Sequence, residues 1–286
     1  MMTLPQAFSS RGRLAPTPTG YLHLGHARTF WTAQERVRAV GGKLLLRVED
    51  IDQARCRPEF TVAMLEDLRW FGLAWDEGPD RGGPFAPYTQ SARRDQHLAV
   101  WRALLAGGWI YPSAHSRKDL EHAPRAPHAG EGEALFPAHW RPAPGTWTPP
   151  EQPDGSNWRF HVPDGERLEF VDGRCGPQAF EAGRDFGDFV VWRRDGVPAY
   201  ELVVAADDHA MQVTEVVRGE DLLLSTARQL LIYRALGWTP PAWFHCPLMC
   251  DASGQRLAKR TAGLALRDLR AAGRTPAQLR AEWGAP

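Results

Sequence analysis

Apolar and polar positions follow one another along this chain in blocks that predict strands and helices in turn. Short apolar runs bounded by turn residues predict buried strands at 13–15 and 43–48. Residues 27–38 have a helical composition, and apolar positions at helical spacing predict a helix over 58–71 with Val62 on its buried face. Strands and helices in this order predict an α/β fold with a doubly wound, Rossmann-like parallel sheet.

The pattern changes in the middle of the chain and then resumes. Between residues 111 and 153 Pro and Gly are frequent and no period persists, which predicts an inserted, loop-rich module. The elements predicted after it are a hairpin of 158–162 with 167–171 around Pro163-Asp164-Gly165, strands at 185–192 and 199–206, a helix over 221–236 capped near Ser225 and Thr226, a strand at 243–249, and a terminal helix from Thr275-Pro276 to Trp283.

These blocks predict four segments. They are the first half of the Rossmann-like domain at 1–106, the inserted module at 107–184, the second half of the domain at 185–250, and a lysine loop with a C-terminal helical segment at 251–286.

Composition indicates a soluble protein of the cytoplasm. Of the 286 residues 43% are hydrophobic, the N-terminal stretch lacks a secretory pattern, and no apolar run is long enough to cross a membrane. The cysteines form no C-x-x-C pair and predict reduced, mostly buried thiols at Cys56, Cys175, Cys246 and Cys250.

Positive and negative charges are equal in number, but they are unevenly distributed along the chain. The formal net charge is zero, whereas residues 256–280 carry seven basic residues and one acid, a net charge of +6. A basic end on a neutral protein predicts local contacts with phosphates of a nucleic acid. The alternative is an arginine-rich surface imposed by genome composition.

The most informative stretch is R-L-A-P-T-P-T-G-Y-L-H-L-G-H-A-R at 13–28. A strand that ends at the prolines and a helix that begins near H-L-G-H would direct backbone N–H groups and the imidazoles of His23 and His26 at one spot, which suits a phosphate. Gly25 would let a ligand approach the backbone. The alternatives are chance and a structural histidine.

A second feature lies in a Gly-containing loop near the C-terminus. The chain has three lysines, Lys43, Lys118 and Lys259, against a large excess of arginine. An ammonium retained at Lys259 suggests a point charge that moves onto a phosphate, the alternative being an ordinary solvated lysine.

Together the two features resemble the paired signature of class I aminoacyl-tRNA synthetases. His23 to His26 match the first motif and Arg256 to Arg260 the second. The segments between them are similar to the glutamyl branch in the stretches G-G-K-L-L-L-R-V-E-D-I-D, Y-T-Q-S-A-R-R, G-D-F-V-V-W-R-R-D-G-V-P-A-Y-E-L-V-V-A-A-D-D-H and V-V-R-G-E-D-L-L.

The resemblance implies ATP-dependent activation of L-glutamate, with Mg²⁺ on the phosphates. It implies His23, His26 and Lys259 as catalytic residues, with Gly25 joining them in ATP binding. For glutamate it implies the set Arg13, Ala15, Thr17, Glu49, Tyr200 and Arg218. The lysine loop departs from the family pattern, since Arg256 and Ala258 replace the usual Lys and Ser.

The resemblance to this branch implies that the inserted module is of the acceptor-binding type, and in this branch the module often holds zinc. The corresponding positions here are Ser113, His115, Phe136 and Trp140, which retain no thiolate, and further histidines at 122, 128 and 139 are irregularly spaced. A structural zinc is therefore not expected. Trp140, Trp147 and Trp158 are the candidates for a replacement core.

The acceptor is predicted from the extent of the resemblance. The chain stops soon after the lysine loop, as in a truncated subgroup that transfers glutamate to queuosine in the anticodon of tRNA(Asp), and we expect a monomer. The alternatives are a shortened synthetase that charges the 3′ end of tRNA(Glu), and a non-catalytic nucleotide- or RNA-binding paralogue. H-x-G-H also occurs in small nucleotidyltransferases, but these do not explain the lysine loop.

Overall fold

The computed structural model of the protein describes residues 10–116, 119–120, 135–143, 145–153, 155–249 and 265–283. The helices of this part are α1 (Leu24–Ala39), α2 (Pro58–Phe71), α3 (Arg94–Ala106), α4 (Tyr200–Ala210), α5 (Leu223–Ala235), α6 (Leu266–Ala271) and α7 (Pro276–Ala281). The strands are β1 (Arg11–Leu14), β2 (Lys43–Leu46), β3 (Ile110–Ser113), β4 (Asn157–Phe160), β5 (Arg167–Asp172), β6 (Gly176–Glu181), β7 (Val190–Trp192), β8 (Glu215–Gly219) and β9 (Ala242–Cys246).

The contacts divide the chain into two units. One takes in Met1–Ala92, Met211–Asp221 and Pro241–Pro286, and the other takes in Arg93–Ala210 and Leu222–Pro240. This division follows contacts and does not test the four predicted segments, which remain a prediction.

The first unit contains parallel strands. β1 pairs with β2 in parallel, β8 pairs with β9 in parallel, and the Thr214 N–H donates to the Arg11 carbonyl at 2.9 Å, which places β8 beside β1. Every residue of β1 and three of the four residues of β2 are buried, as expected for strands covered on both faces. The predicted α/β class with a parallel sheet is confirmed.

Helix α2 begins and ends as the sequence predicts. Pro58 stands at the first turn, and Gly72 ends the helix in the left-handed conformation with φ of 91°. Its buried face is formed by Met64, Leu68 and Phe71. The prediction for Val62 was wrong, because its side chain is 58% exposed on the opposite face.

The second unit contains antiparallel strands whose pairing differs from the prediction. β4 pairs with β3 and β7, and β5 pairs with β6 instead of β4. The turn of the real hairpin is built by Asp172, whose Oδ1 accepts from the N–H groups of Arg174 at 3.0 Å and Cys175 at 2.8 Å. Gly176 follows with φ of 69°. The segment Pro163-Asp164-Gly165 instead connects β4 to β5, which pair with other strands.

The predicted strand at 199–206 is wrong, because this segment is the helix α4. All residues from 201 to 208 are buried, so the helix is covered on every side and shows no amphipathic period. A short continuous apolar run has the same pattern in a buried strand and a buried helix. Only the tertiary packing against α3 and α5 distinguishes the two.

Two predicted helix caps have opposite outcomes. Thr275 caps α7 as predicted, since its Oγ1 accepts from the Gln278 N–H at 3.3 Å. Ser225 does not cap α5, because it lies inside that helix and donates to Glu201 at 2.8 Å. A hydroxyl that finds a buried carboxylate is not available to a helix end.

We expect Asp207→Ala to destabilise the protein strongly. The buried Asp207 carboxylate accepts from Arg93 Nε at 2.7 Å and contacts His97 Nε2 at 3.0 Å. Removing it leaves a buried guanidinium without this partner, which should cost about 3–5 kcal/mol of unfolding free energy, measured by urea denaturation. Asp195→Ala, which breaks the exposed pair with Arg193, is the control, with an expected change below about 0.5 kcal/mol. Equal losses in the two variants would contradict this.

Candidate active site

The stretch 13–28 forms the predicted end of a strand, turn and start of a helix, with H-L-G-H at the helix start. β1 ends at Leu14, the prolines follow, and α1 begins at Leu24 with His23 as its N-cap in an extended conformation. His23 and His26 are half-buried, and their ring centroids lie 3.7 Å apart. The two imidazoles therefore meet at the positive end of α1.

The imidazoles themselves cap this helix. His23 Nδ1 accepts from the Gly25 N–H at 3.1 Å, and His26 Nδ1 accepts from the His23 N–H at 3.3 Å. The expectation that N–H groups here face a ligand is therefore wrong for Gly25 and His23. Because Nδ1 accepts in both rings, the proton of each neutral ring lies on Nε2, which makes Nε2 a donor.

Gly25 has a local reason to be glycine. A Cβ at this position would lie 3.0 Å from Cε1 and 3.1 Å from Nδ1 of His23. A larger residue would therefore displace the capping ring. The approach of a ligand to this glycine remains a prediction.

Two arginines of the predicted glutamate set lie on neighbouring strands. Arg13 on β1 and Arg218 on β8 are each 4% exposed. Arg13 Nη1 donates to the carbonyl of Val217, the residue before Arg218, at 2.8 Å. Arg218 Nε donates to Nε2 of His245 on β9 at 3.2 Å, and His245 is completely buried. The β1, β8 and β9 strands thus bring two guanidinium groups to the same region of the sheet.

Glu49 lies just beyond β2 beside the turn that follows β1. Its N–H donates to the Pro16 carbonyl at 3.0 Å, and its side chain is 9% exposed. Its Oε1 accepts from Nη2 of Arg47 at 2.8 Å, and Arg47 is completely buried. Sequence reasoning missed Arg47, although an arginine inside the apolar run L-L-L-R-V was a signal that a buried acid needs a partner.

The remaining predicted residues are placed as follows. Ala15 and Thr17 lie in the loop after β1, where Ala15 is half-buried and Thr17 is exposed. Tyr200 belongs to the second unit, where it begins α4 and is 40% exposed. Lys259 lies outside the described residues.

The segment that follows the lysine loop contacts the H-L-G-H turn. The Leu266 N–H donates to the Leu22 carbonyl at 2.8 Å, and Ala265 forms a bridge with His23. The Arg267 guanidinium lies 4.1 Å from the centre of the Tyr21 ring. The chain therefore returns to the first motif just after the second one.

Asp67 on α2 is a buried acid next to this contact. It is 1% exposed, and its Oδ2 lies 3.9 Å from Arg267 Nε, beyond hydrogen-bond distance. Burial raises the pKa of Asp67 to about 6, and Arg267 opposes that rise.

The four positions that correspond to zinc ligands come together in the second unit. The ring of His115 stacks on Trp140 at 3.9 Å, and Phe136 packs edge-on against Trp140 at 5.5 Å. Ser113 Oγ accepts from the His115 N–H at 3.3 Å. A phenyl ring, an indole and a hydroxyl do not suit zinc. Among the residues that the structure describes, no three His, Cys, Asp or Glu side chains cluster in a way that suits a metal ion.

An ionic network lies beside this aromatic cluster. Arg141 donates to Asp188 Oδ2 at 2.7 Å and to Asp164 Oδ2 at 2.7 Å, while the Tyr111 hydroxyl also donates to Asp188. Burial raises the pKa of Tyr111, which keeps this phenol protonated as a donor. Arg141 directly follows Trp140 in the sequence, so two ion pairs, with Asp188 and Asp164, lie next to the aromatic cluster.

Comparison with known families identifies the family of this chain. Residues 10–281 match the family described as tRNA synthetases class I (E and Q), catalytic domain. The chain belongs to this family. The resemblance predicted from the motifs is confirmed, and this synthetase is a member of a ligase family.

Curated relatives of the synthetase have two kinds of name. Proteins named glutamyl-Q tRNA(Asp) synthetase from Nitratidesulfovibrio vulgaris and Symbiobacterium thermophilum are each 48% identical to it. The alignments cover 92% and 93% of this chain and 82% of each relative. A protein named glutamate–tRNA ligase 2 from Acidithiobacillus ferrooxidans is 43% identical over 94% of this chain and 56% of its own length.

Solved structures support the fold. A glutamate tRNA ligase from Elizabethkingia meningosepticum, in complex with its amino acid, has a TM-score of 0.73 and 30% identity, and the likeness covers 88% of this chain and 52% of that one. Glutamate-tRNA synthetase from Elizabethkingia anophelis has a TM-score of 0.74 and 30% identity, with coverage of 93% and 54%. The synthetase thus spans about half of each of these chains. In the described part of the synthetase, no helix has the length and apolar character needed to span a bilayer.

We expect Asp67→Asn to change how stability depends on pH. Because the pKa of Asp67 is about 6 in the folded protein, against 3.8 for an ordinary aspartate, wild-type stability falls as pH rises through this range. The variant lacks this titration. Its unfolding free energy relative to wild type should rise between pH 4 and 6, by at most about 3 kcal/mol, and stay constant above.

Denaturant unfolding at a series of pH values measures this difference. Asp95→Asn, at an exposed position on α3, is the matched control. A flat difference for Asp67→Asn, or the same slope in the control, would show that burial does not hold the Asp67 proton.

Proposed function

We propose that this synthetase activates L-glutamate with ATP to give glutamyl-AMP and transfers the glutamyl group to queuosine in the anticodon of tRNA(Asp). One observation carries the proposal. Two buried arginines, Arg13 on β1 and Arg218 on β8, and the buried acid Glu49, which follows β2, come from neighbouring parallel strands of the first unit. Glutamate has two carboxylates and one ammonium, and this set offers two cations and one anion.

The proposed roles follow from charge and geometry. Glu49 accepts from the substrate ammonium through the carboxylate that Arg47 holds in place. Arg13 and Arg218 bind the two carboxylates, since a guanidinium fork matches two carboxylate oxygens. Ala15 and Thr17 line the loop beside the substrate. A hydroxyl contributed by Tyr200 stays a prediction of the family resemblance.

ATP is the second substrate, with Mg²⁺ on its phosphates. A glutamate carboxylate oxygen attacks the α-phosphorus, and pyrophosphate leaves. Donors must then meet the charge that develops on the phosphates. His23 and His26 donate from Nε2, Gly25 keeps the capped turn in shape, and Lys259 supplies an ammonium.

The choice of acceptor rests on the relatives. The two proteins whose names state action on tRNA(Asp) are 48% identical to this chain, against 43% for the glutamate–tRNA ligase of Acidithiobacillus ferrooxidans. The name glutamate–tRNA ligase supports an alternative function, the charging of tRNA(Glu) at its 3′ end.

Glutamate-dependent exchange of pyrophosphate into ATP, without tRNA, tests the activation step. We expect exchange with glutamate but not with aspartate or glutamine. Lys259→Ala should reduce the rate by roughly 100-fold or more, because it removes a charged donor to the phosphates. Lys43→Ala, at an exposed position at the start of β2, is the matched control and should keep the wild-type rate.

Other outcomes point to the alternatives. Exchange that requires tRNA would favour a shortened tRNA(Glu) ligase. Absence of exchange under every condition would leave a non-catalytic nucleotide- or RNA-binding paralogue.

Transfer of labelled glutamate identifies the acceptor. Three RNAs should be compared: tRNA(Asp) with queuosine, the same tRNA without it, and tRNA(Glu). We expect label on the first alone. Label on the 3′ end of tRNA(Glu) would replace the proposal by its alternative.

The inserted module, in this proposal, holds no structural zinc and depends on side-chain packing instead. Dialysis against a strong chelator should leave the melting temperature unchanged, and metal analysis should give far less than one zinc per chain. Trp140→Ala should cost about 2 kcal/mol, because it removes the ring that His115 and Phe136 contact. Trp109→Ala, on a partly exposed ring, is the control. A chelator-dependent loss of stability would contradict this.

The proposal also retains a monomeric enzyme of the cytoplasm. Cys56, Cys175 and Cys246 form no disulfide with one another, which agrees with a reducing compartment.

A further inference from the structure

A histidine outside the predicted site contacts one of the substrate arginines. β8 and β9 run in parallel, and their register places Arg218 directly beside His245. Arg218 is 4% exposed and His245 is fully buried. The distance from Arg218 Nε to His245 Nε2 is 3.2 Å, so the two side chains are hydrogen-bonded in the core of the first unit.

The direction of this bond assigns the histidine tautomer. A guanidinium is always a donor, so Nε2 of His245 is the acceptor. The proton of the neutral ring therefore lies on Nδ1. His245 thus presents a lone pair to Arg218 and adds no second positive charge beside it.

The bond also restricts how Arg218 can bind a carboxylate. A guanidinium can present two parallel N–H groups either along its side, through Nε and one terminal nitrogen, or at its end, through Nη1 and Nη2. His245 occupies the Nε–H and excludes the first geometry. Only the end of the guanidinium then fits a two-oxygen ligand.

We propose that His245 is a positioning residue that orients Arg218 for end-on binding of the side-chain carboxylate of glutamate. The inference rests on the proposed function. His245 does not touch the substrate in this scheme. Its effect reaches glutamate through Arg218, so glutamate binding should depend on His245 while ATP binding should not.

The test compares His245→Leu with His245→Gln in the pyrophosphate exchange assay. Leucine removes the acceptor, whereas glutamine can place an amide oxygen near the position of Nε2. We expect His245→Leu to raise KM for glutamate roughly tenfold or more, as for the loss of a hydrogen bond to a charged group. KM for ATP and kcat should stay within about threefold of wild type, and His245→Gln should recover most of the loss.

Two controls separate positioning from a general disturbance of β9. Phe244→Leu, at the neighbouring position where the ring packs under Arg36, should leave KM for glutamate unchanged. Should His245→Leu not fold, His245→Asn serves in its place, since its shorter amide does not reach Arg218. In an Arg218→Lys background, which lacks the Nε–H, losing the His245 acceptor should have no further effect on KM for glutamate.

The outcomes are distinct. Equal rises in KM for glutamate and ATP, failure of glutamine to rescue, or additive effects in the Arg218→Lys background would each overturn the inference while leaving the proposed function intact. A wild-type enzyme without glutamate-dependent exchange would overturn both.

Discussion

A charge that is buried in a protein must be matched by a partner, and this requirement governs the sheet around which the candidate site is built. Arg47 is completely buried and bonds Glu49, two residues away on the same chain segment. Arg218 is buried on β8 and bonds His245 on β9. Since the second pair spans two strands, a shift of register by one residue would turn these side chains to opposite faces and break the bond between them. The strand register that forms this bond therefore also sets the position of Arg218 in the candidate site.

The H-L-G-H turn has a structural task that fixes the atoms proposed to act on ATP. Nδ1 of each imidazole accepts a backbone N–H at the start of α1, which fixes the rings 3.7 Å apart. This use of Nδ1 directs the donor nitrogen Nε2 away from the cap. The glycine between the histidines is needed because a side chain there would meet the His23 ring. The motif therefore carries its own positioning, and the later contact of Leu266 with Leu22 brings the C-terminal segment to it.

In the second unit, the positions at which the family resemblance implies zinc ligands are held together by side-chain packing. His115, Phe136 and Trp140 pack ring against ring, and Arg141 bonds two acids next to them. Metal ligation would hold such residues through a few strong, directional bonds. Here many weaker contacts and one guanidinium network act over the same stretch, so the geometry depends on shape and burial.

Local features of the fold could be predicted from the sequence. The start of α1 at H-L-G-H, the bounds of α2 from Pro58 to Gly72 and the cap of α7 at Thr275 all depend on residues within a few positions of one another. The family and the charged residues of its pattern could also be predicted, because motifs are local strings. Their roles toward glutamate and ATP stay a prediction.

Tertiary structure decided the features that depend on distant partners. The segment 199–206 is a helix because α3 and α5 cover it, which its apolar run could not reveal. β5 pairs with β6 because Asp172 closes the turn between them. His245 and Arg218 stand 27 residues apart and meet only through strand register. A sequence states which side chains are charged or apolar, but burial and partners are properties of the packed chain, so these contacts became visible only in the fold.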